Sequence, residues 1–223
     1  MDTPTRESSG LHPGFGPAYP VLSLAFSFYG LLGLSGIVWV WIRTGNPVPA
    51  SLPGAHPLLG LLVGGSGGLA VVASSAIGIR HSGPMRWLAA EVRGVLGSCS
   101  PSACFGLALA SAVGEEFFFR GAMQPAVGFG LTSLAFGLVH IGPDRRFLLW
   151  TAFASVLGLG LGCLLEWTGS LLGCILAHFT INFLNLLQIM RLGSIRATLG
   201  SPPDAWHERC CGPVESPDRG RDD

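Results

Sequence analysis

Long apolar runs without charge dominate this sequence, and they limit the folds that it can adopt. The first run, over residues 20–42, contains no charged side chain, and a helix that crosses a membrane needs about 20 mostly apolar residues. Charged residues make up only 12% of the 223-residue chain, against about 25% in ordinary soluble domains. So few charges cannot cover the surface of a soluble protein of this size. We therefore predict an integral, multi-pass membrane protein of the cell membrane.

Six runs of this kind are present, and they predict a bundle of about six membrane-spanning helices. The runs are too long for transmembrane strands and do not alternate as strands do, so the predicted fold class is all-α. The predicted spans are approximately 20–42, 56–79, 102–119, 122–141, 147–165 and 169–190.

The segments outside these runs give the chain a four-part organisation. Residues 1–19 are polar, and residues 20–102 hold the first two spans. Within this second part, residues 85–96 alternate apolar and charged side chains, which is typical of an amphipathic helix on the membrane interface. Residues 103–190 hold the last four spans. Residues 191–223 are rich in proline and mixed charge, and we predict a disordered tail there.

Ionisable and polar side chains inside three of the spans indicate a candidate site. An ionisable residue in the middle of a span costs roughly 2.5–3.5 kcal/mol on insertion scales, and such residues usually face the interior of the bundle. Because unsatisfied polar atoms are expensive in lipid, we expect those of different helices to meet around one small hydrated cavity. The residues concerned are Glu115, Glu116, Arg120, His140, His178 and Asn182.

Helical spacing separates the roles of the two carboxylates. Glu116 and Arg120 are four residues apart with the acid first, which predicts an ion pair on one helix face. Glu115 is rotated about 100° from Glu116 and lacks that local partner, so it is the candidate general base. His178 and Asn182 share a face of the sixth span by the same spacing.

This set of side chains suits hydrolysis of an amide without a Ser or Cys nucleophile. A glutamate assisted by a histidine can take a proton from water, while a second histidine and an asparagine amide can stabilise the oxyanion. The same glutamate and histidines could instead hold a zinc ion, so a metal-dependent reaction remains an alternative. The formal net charge is zero and no basic stripe is present, which argues against nucleic-acid binding.

Three short motifs that contain these residues resemble the CPBP family, which comprises CAAX proteases and bacteriocin-processing enzymes and is also called the abortive-infection family. The motifs E-E-x-x-x-R, F-x-x-x-H and H-x-x-x-N/D correspond here to residues 115–120, 136–140 and 178–182. The resemblance covers about residues 103–190. It implies an intramembrane endopeptidase similar to the CAAX prenyl protease 2 enzymes.

The resemblance also implies a role for each residue of the motifs. A membrane-associated peptide or protein is the implied substrate and membrane lipid the surrounding partner, and no cofactor is expected. By the resemblance, Glu115 and His140 activate water, His178 and Asn182 form the oxyanion hole, and Glu116 and Arg120 support the site.

The arginines predict how the chain lies in the membrane. With six spans, the positive-inside rule places both termini in the cytoplasm and leaves Arg43 and Arg120 on the opposite side. Glu115 is then expected toward the external side, whereas the cavity of the prenyl proteases opens to the cytosol. The first two spans lie outside the motif region, and we expect them to shield the core.

Two other interpretations compete with the glutamate-dependent protease. Ser66 lies in a literal G-x-S-x-G over residues 64–68, and rhomboid serine proteases also carry an H-x-x-x-N motif. The order of the two motifs is reversed here, and a nucleophile elbow needs a strand-to-helix turn, so we expect Ser66 to be a packing residue. A non-catalytic scaffold or immunity protein, or a proton-linked transporter, would also place Glu and His inside the membrane, although no inverted repeat is visible.

Overall fold

The computed structural model describes residues 19–142 and 147–199, and all regular structure in these ranges is helical. The predicted all-α fold is confirmed. Most of the predicted tail and of the polar N-terminal segment lies outside the described residues, although the last helix continues beyond the predicted end of its span. In chain order the helices are α1 Tyr19–Thr44, α2 Pro57–His81, α3 Gly83–Leu96, α4 Pro101–Glu116, a π-helical segment Phe117–Met123, α5 Gln124–Val127, α6 Phe129–Leu138, α7 Leu148–Thr168 and α8 Leu171–Leu199.

Five helices within the described ranges are long and apolar enough to cross a membrane, not six. They are α1, α2, the continuous helix from Pro101 to Val127, α7 and α8. The predicted fourth span, 122–141, is wrong as a full-length span. Regular structure in this range consists of the end of the long helix and the ten-residue α6. Ten residues of α-helix rise about 15 Å, which is half of the hydrocarbon thickness of a membrane.

The error arose because the charged motif does not interrupt the third span. The helix continues through Arg120 and Gly121 as a π-helical segment and ends only at Gly128, whose φ of 89° is a conformation that favours glycine. Charges that look like a helix boundary in the sequence are therefore held inside one 27-residue helix.

Contacts between helices give the direction in which each one runs. Helix α1 runs parallel to α4 and its π-helical continuation, because Gly33 approaches Gly114 and Arg43 donates to the Ala122 carbonyl oxygen. Helices α2 and α8 also run parallel, since Gly60 meets Ser170 at the start of both. We define the arginine-rich end as the end of the bundle at which α1 and α4 begin, α2 and α8 finish, and α3 lies.

The short helix α6 still brings the chain back toward the arginine-rich end. Phe129 at its start lies against Gly162 of α7, and the His140 carbonyl oxygen just after its end accepts from Thr151. Helix α6 therefore runs antiparallel to α7. The chain reverses direction as often as six spans would require, although one of the six passes is made by a short helix and its flanking turn.

Glycines at four-residue spacing let α2 and α8 pack closely. Gly60, Gly64 and Gly68 are buried along α2 and face α8. A side chain at Gly64 would run into the backbone of Gly173. Small residues at this spacing let helices approach closely in lipid, so the polar face of α8 is held at a fixed place in the bundle.

Helix α3 confirms the predicted amphipathic helix and lies beside the end of α8. Its apolar side buries Leu88 and Leu96. The guanidinium of Arg93 donates to the Met190 carbonyl oxygen of α8 at 3.1 Å. This bond fixes α3 across the arginine-rich end of the bundle.

Candidate active site

A cavity of about 160 Å³ lies inside the bundle, and four of the six predicted site residues line it. Its volume offers room for a few water molecules. Residues from α1, α3, α4, α6, α7 and α8 contribute to its wall. The structure therefore brings together Glu115, His140, His178 and Asn182, as the motifs predicted.

Glu115 and His140 lie close together in the wall of the cavity. Oε2 of Glu115 lies 3.8 Å from Nε2 of His140, which is too long for a direct hydrogen bond, and Oε2 is sealed inside the bundle without a hydrogen-bond partner. Nδ1 of His140 lies 2.7 Å from the Phe136 carbonyl oxygen. A carbonyl only accepts, so Nδ1 carries the proton and Nε2 is left as an acceptor toward Glu115.

Glu116 binds two partners in the sealed interior of the bundle. Its Oε1 lies 3.2 Å from Nη1 of Arg120 and 2.8 Å from Nδ1 of His178. Both Glu116 and Arg120 are fully buried. The predicted Glu116–Arg120 ion pair is confirmed, and the second contact shows that the pair also fixes the ring of His178.

Arg120 makes two further contacts inside the bundle. Its Nη2 donates to the Gly158 carbonyl oxygen of α7 at 3.0 Å, and its guanidinium carbon lies 4.2 Å from the centre of the Phe136 ring. Cation–π contact and hydrogen bonds compensate for burial of the charge. Arg120 thereby joins the first motif to the second, which begins at Phe136.

Asn182 is oriented by a residue that the motifs did not include. Its Nδ2 donates to Oγ of Ser111 at 2.9 Å, and Ser111 in turn donates to the Ala108 carbonyl oxygen at 3.1 Å. Ser111 is buried and lines the cavity. It stands four residues before Glu115, so helical spacing could have placed it on the same face.

Glu115 lies near the middle of its helix, whereas the sequence predicted a position toward the external side. Glu115 lies fourteen residues after Pro101 and twelve before Val127, in the middle of its helix. From there the cavity follows α4 and α8 to Val92 of α3 and Ile189 of α8. It therefore extends from the middle of the bundle toward the arginine-rich end. The helix end on which the expectation rested is wrong, since the helix continues to Val127. The side of the membrane that Glu115 faces stays a prediction.

The serine of the competing rhomboid interpretation lies elsewhere. Ser66 is exposed on α2, and its hydroxyl donates to the Leu62 carbonyl oxygen of the same helix at 2.7 Å. It does not line the cavity. Its position is therefore that of a surface residue of a membrane helix and not that of a nucleophile.

Within the described residues, no group of three or more His, Cys, Asp or Glu side chains is arranged to hold a metal ion. Glu115 has His140 as its near neighbour, while His178 turns its Nδ1 toward Glu116. The predicted absence of a cofactor stays a prediction, and chelation is the direct test of it.

Comparison with known proteins supports the resemblance that the motifs suggested. Residues 98–184 match the family model described as Type II CAAX prenyl endopeptidase Rce1-like. A protein of Bacillus subtilis (strain 168), Uncharacterized protein YpbD, is 36% identical to the chain over 83 residues, which are 37% of this chain and 43% of that protein. The chain thus spans less than half of the length of that relative. No solved structure matches the chain.

Proposed function

We propose that this multi-pass membrane protein, whose residues 98–184 carry the Rce1-like family pattern, is an intramembrane endopeptidase that uses Glu115 and His140 to activate water. The observation that carries the proposal is that Glu115 and His140 line the same cavity, with Oε2 of Glu115 3.8 Å from Nε2 of His140. A water in the cavity beside this pair has the Glu115 carboxylate and Nε2 of His140 as acceptors for its two protons. Glu115 takes one proton and the resulting hydroxide attacks the carbonyl carbon of the substrate.

The oxyanion that forms is stabilised from the α8 side of the cavity. The Asn182 amide donates one N–H to Ser111, and its second N–H is free to bind the oxyanion. His178 donates through Nδ1 to Glu116 and through Nε2 to the oxyanion. The ring is doubly protonated at that point, and the oxyanion supplies the negative charge opposite it. Glu115 then returns its proton to the leaving amine, which completes hydrolysis of the peptide bond.

The substrate enters from the arginine-rich end, toward which the cavity extends as far as Val92 of α3 and Ile189 of α8. The described arginines Arg80, Arg86 and Arg93 lie at that end, while Arg43 lies at the opposite end. The positive-inside rule then places the arginine-rich end in the cytoplasm. A membrane-associated peptide or protein with a cytoplasmic cleavage site is the substrate class that this orientation favours.

The test compares native protein with Glu115→Gln, using Glu91→Gln as the matched control on α3 outside the cavity. Each protein is reconstituted in vesicles with peptides from the host's membrane proteins, and new termini are identified by mass spectrometry. We expect cleavage by the native protein and the control, and none above background by Glu115→Gln. Equal peptide patterns for all three proteins would contradict the proposal and favour a scaffold, and substrate-coupled proton flux without cleavage would favour a transporter.

A further inference from the structure

Tyr29 of α1 lines the cavity together with Glu115, although it lies far outside the motif region and the matched residues 98–184. The first two spans were expected only to shield the core. This expectation is too narrow, because α1 supplies part of the cavity wall. No sequence signal marked Tyr29, which stands in an uninterrupted apolar run.

Close packing of α1 against α4 places Tyr29 there. Gly33 approaches the backbone of Gly114, and a Cβ at Gly36 would lie 2.9 Å from the backbone of Phe118. A Cβ at Gly114 would meet the carbonyl group of Tyr29. The backbones of the two helices therefore touch at the residue directly before Glu115, which fixes Tyr29 beside the general base.

The hydroxyl of Tyr29 is free for a substrate. Within the described residues it makes no hydrogen bond, and the ring of Tyr29 makes an edge contact with Phe28. Its oxygen is not sealed inside the bundle, and Tyr29 is part of the cavity wall. A phenol is a donor at neutral pH, and a peptide in the cavity brings carbonyl oxygens that need donors in a site with little water.

We propose that Tyr29 is a further substrate-contacting residue, whose hydroxyl donates a hydrogen bond to a main-chain carbonyl oxygen of the bound peptide next to the cleaved bond. This inference rests on the proposed endopeptidase function. Such a bond forms in the bound substrate and persists in the transition state. Its loss therefore raises KM and leaves kcat nearly unchanged.

The experiment measures KM and kcat of Tyr29→Phe in vesicles, with a synthetic peptide that the native protein cuts. Tyr29→Phe removes only the hydroxyl. Phe28→Leu is the matched control, because Phe28 is the neighbouring aromatic residue and is 56% exposed on the outside of α1. We expect KM to rise about tenfold in Tyr29→Phe and kcat to stay within twofold, while Phe28→Leu keeps both values.

A purely structural role of Tyr29 gives a different result. Loss of folded protein lowers the apparent kcat and leaves KM unchanged, so an unchanged KM in Tyr29→Phe overturns the inference whatever happens to kcat. If Glu115→Gln is inactive and Tyr29→Phe keeps the native KM, the endopeptidase proposal stands and only the role of Tyr29 is removed. Cleavage retained by Glu115→Gln overturns both proposals.

Discussion

Oε1 of Glu116 lies 2.8 Å from Nδ1 of His178, and this contact joins the first and third motifs inside the bundle. The same oxygen also lies 3.2 Å from the guanidinium of Arg120. Glu116 therefore holds two basic groups, whereas Glu115 faces the cavity with His140. The two carboxylates are adjacent in the sequence but have different partners, because they point in different directions from one helix.

This division predicts that one alanine variant mainly loses stability and the other mainly loses activity. Glu116→Ala leaves the fully buried Arg120 without its counter-ion and should lower the free energy of unfolding by about 3–5 kcal/mol. Glu115→Ala should abolish cleavage with a much smaller loss of stability. Thermal unfolding in detergent and peptide cleavage in vesicles measure the two effects. Equal destabilisation by both variants would contradict separate roles.

Removal of Ser111 should reduce activity through Asn182. Ser111→Ala removes the acceptor at 2.9 Å from the Asn182 amide, and we expect kcat to fall about tenfold, against about 10²–10³-fold for Asn182→Ala. The double variant should be no slower than Asn182→Ala alone, because the two residues act as one unit. Multiplied losses in the double variant would show that Ser111 acts independently.

Ser66→Ala is the matched serine control for this series, and it also tests the rhomboid alternative. Its hydroxyl is bonded to its own helix on an exposed face, so kcat and KM should stay within twofold of the native values. Abolished cleavage would instead identify Ser66 as a nucleophile.

A strong metal chelator should leave cleavage unchanged. The proposed reaction uses carboxylate, imidazole and amide groups of this chain alone, so the initial rate in vesicles should be equal before and after treatment. Activity that disappears with the chelator and returns with added zinc would support the metal-dependent alternative.

A pair of glycines on α2 tests the packing that holds α8 in place. Gly64→Ala puts a methyl group into the backbone of Gly173 and should destabilise the protein by about 1–3 kcal/mol. Gly67→Ala is the control on the same helix, since nothing lies within 4 Å of its added Cβ, and it should be neutral or slightly stabilising. Thermal unfolding compares the two variants. An equal change in the unfolding temperature for Gly64→Ala and Gly67→Ala would contradict the contact between α2 and α8 at Gly64.

The orientation of the bundle can be measured with a membrane-impermeant thiol reagent. His81→Cys lies at the arginine-rich end and Asn46→Cys at the opposite end, and both positions are exposed. In a chain without other accessible cysteines, intact cells should protect residue 81 and label residue 46. Labelling of residue 81 in intact cells would show that the cavity opens to the outside.

The sequence alone was enough to predict much of the site. Apolar runs are long because a helix in lipid must satisfy its own backbone over the whole thickness of the membrane, so the all-α fold and multi-pass character could be inferred. Glu115, His140, His178 and Asn182 were predicted together, because polar groups inside lipid are expensive and tend to find each other. The Glu116–Arg120 pair followed from helical spacing of four residues.

Only the tertiary structure decided the number of full-length spans, the depth of Glu115 and the contributions of Ser111 and Tyr29. Arg120 looked like a helix boundary, but Glu116, the Gly158 carbonyl oxygen and the Phe136 ring compensate its charge inside a continuous helix. Local hydropathy cannot predict this compensation, because the compensating residues are far apart in the chain. Tyr29 reaches the cavity because glycine backbones of α1 and α4 touch, and such a contact exists only once the two helices are packed.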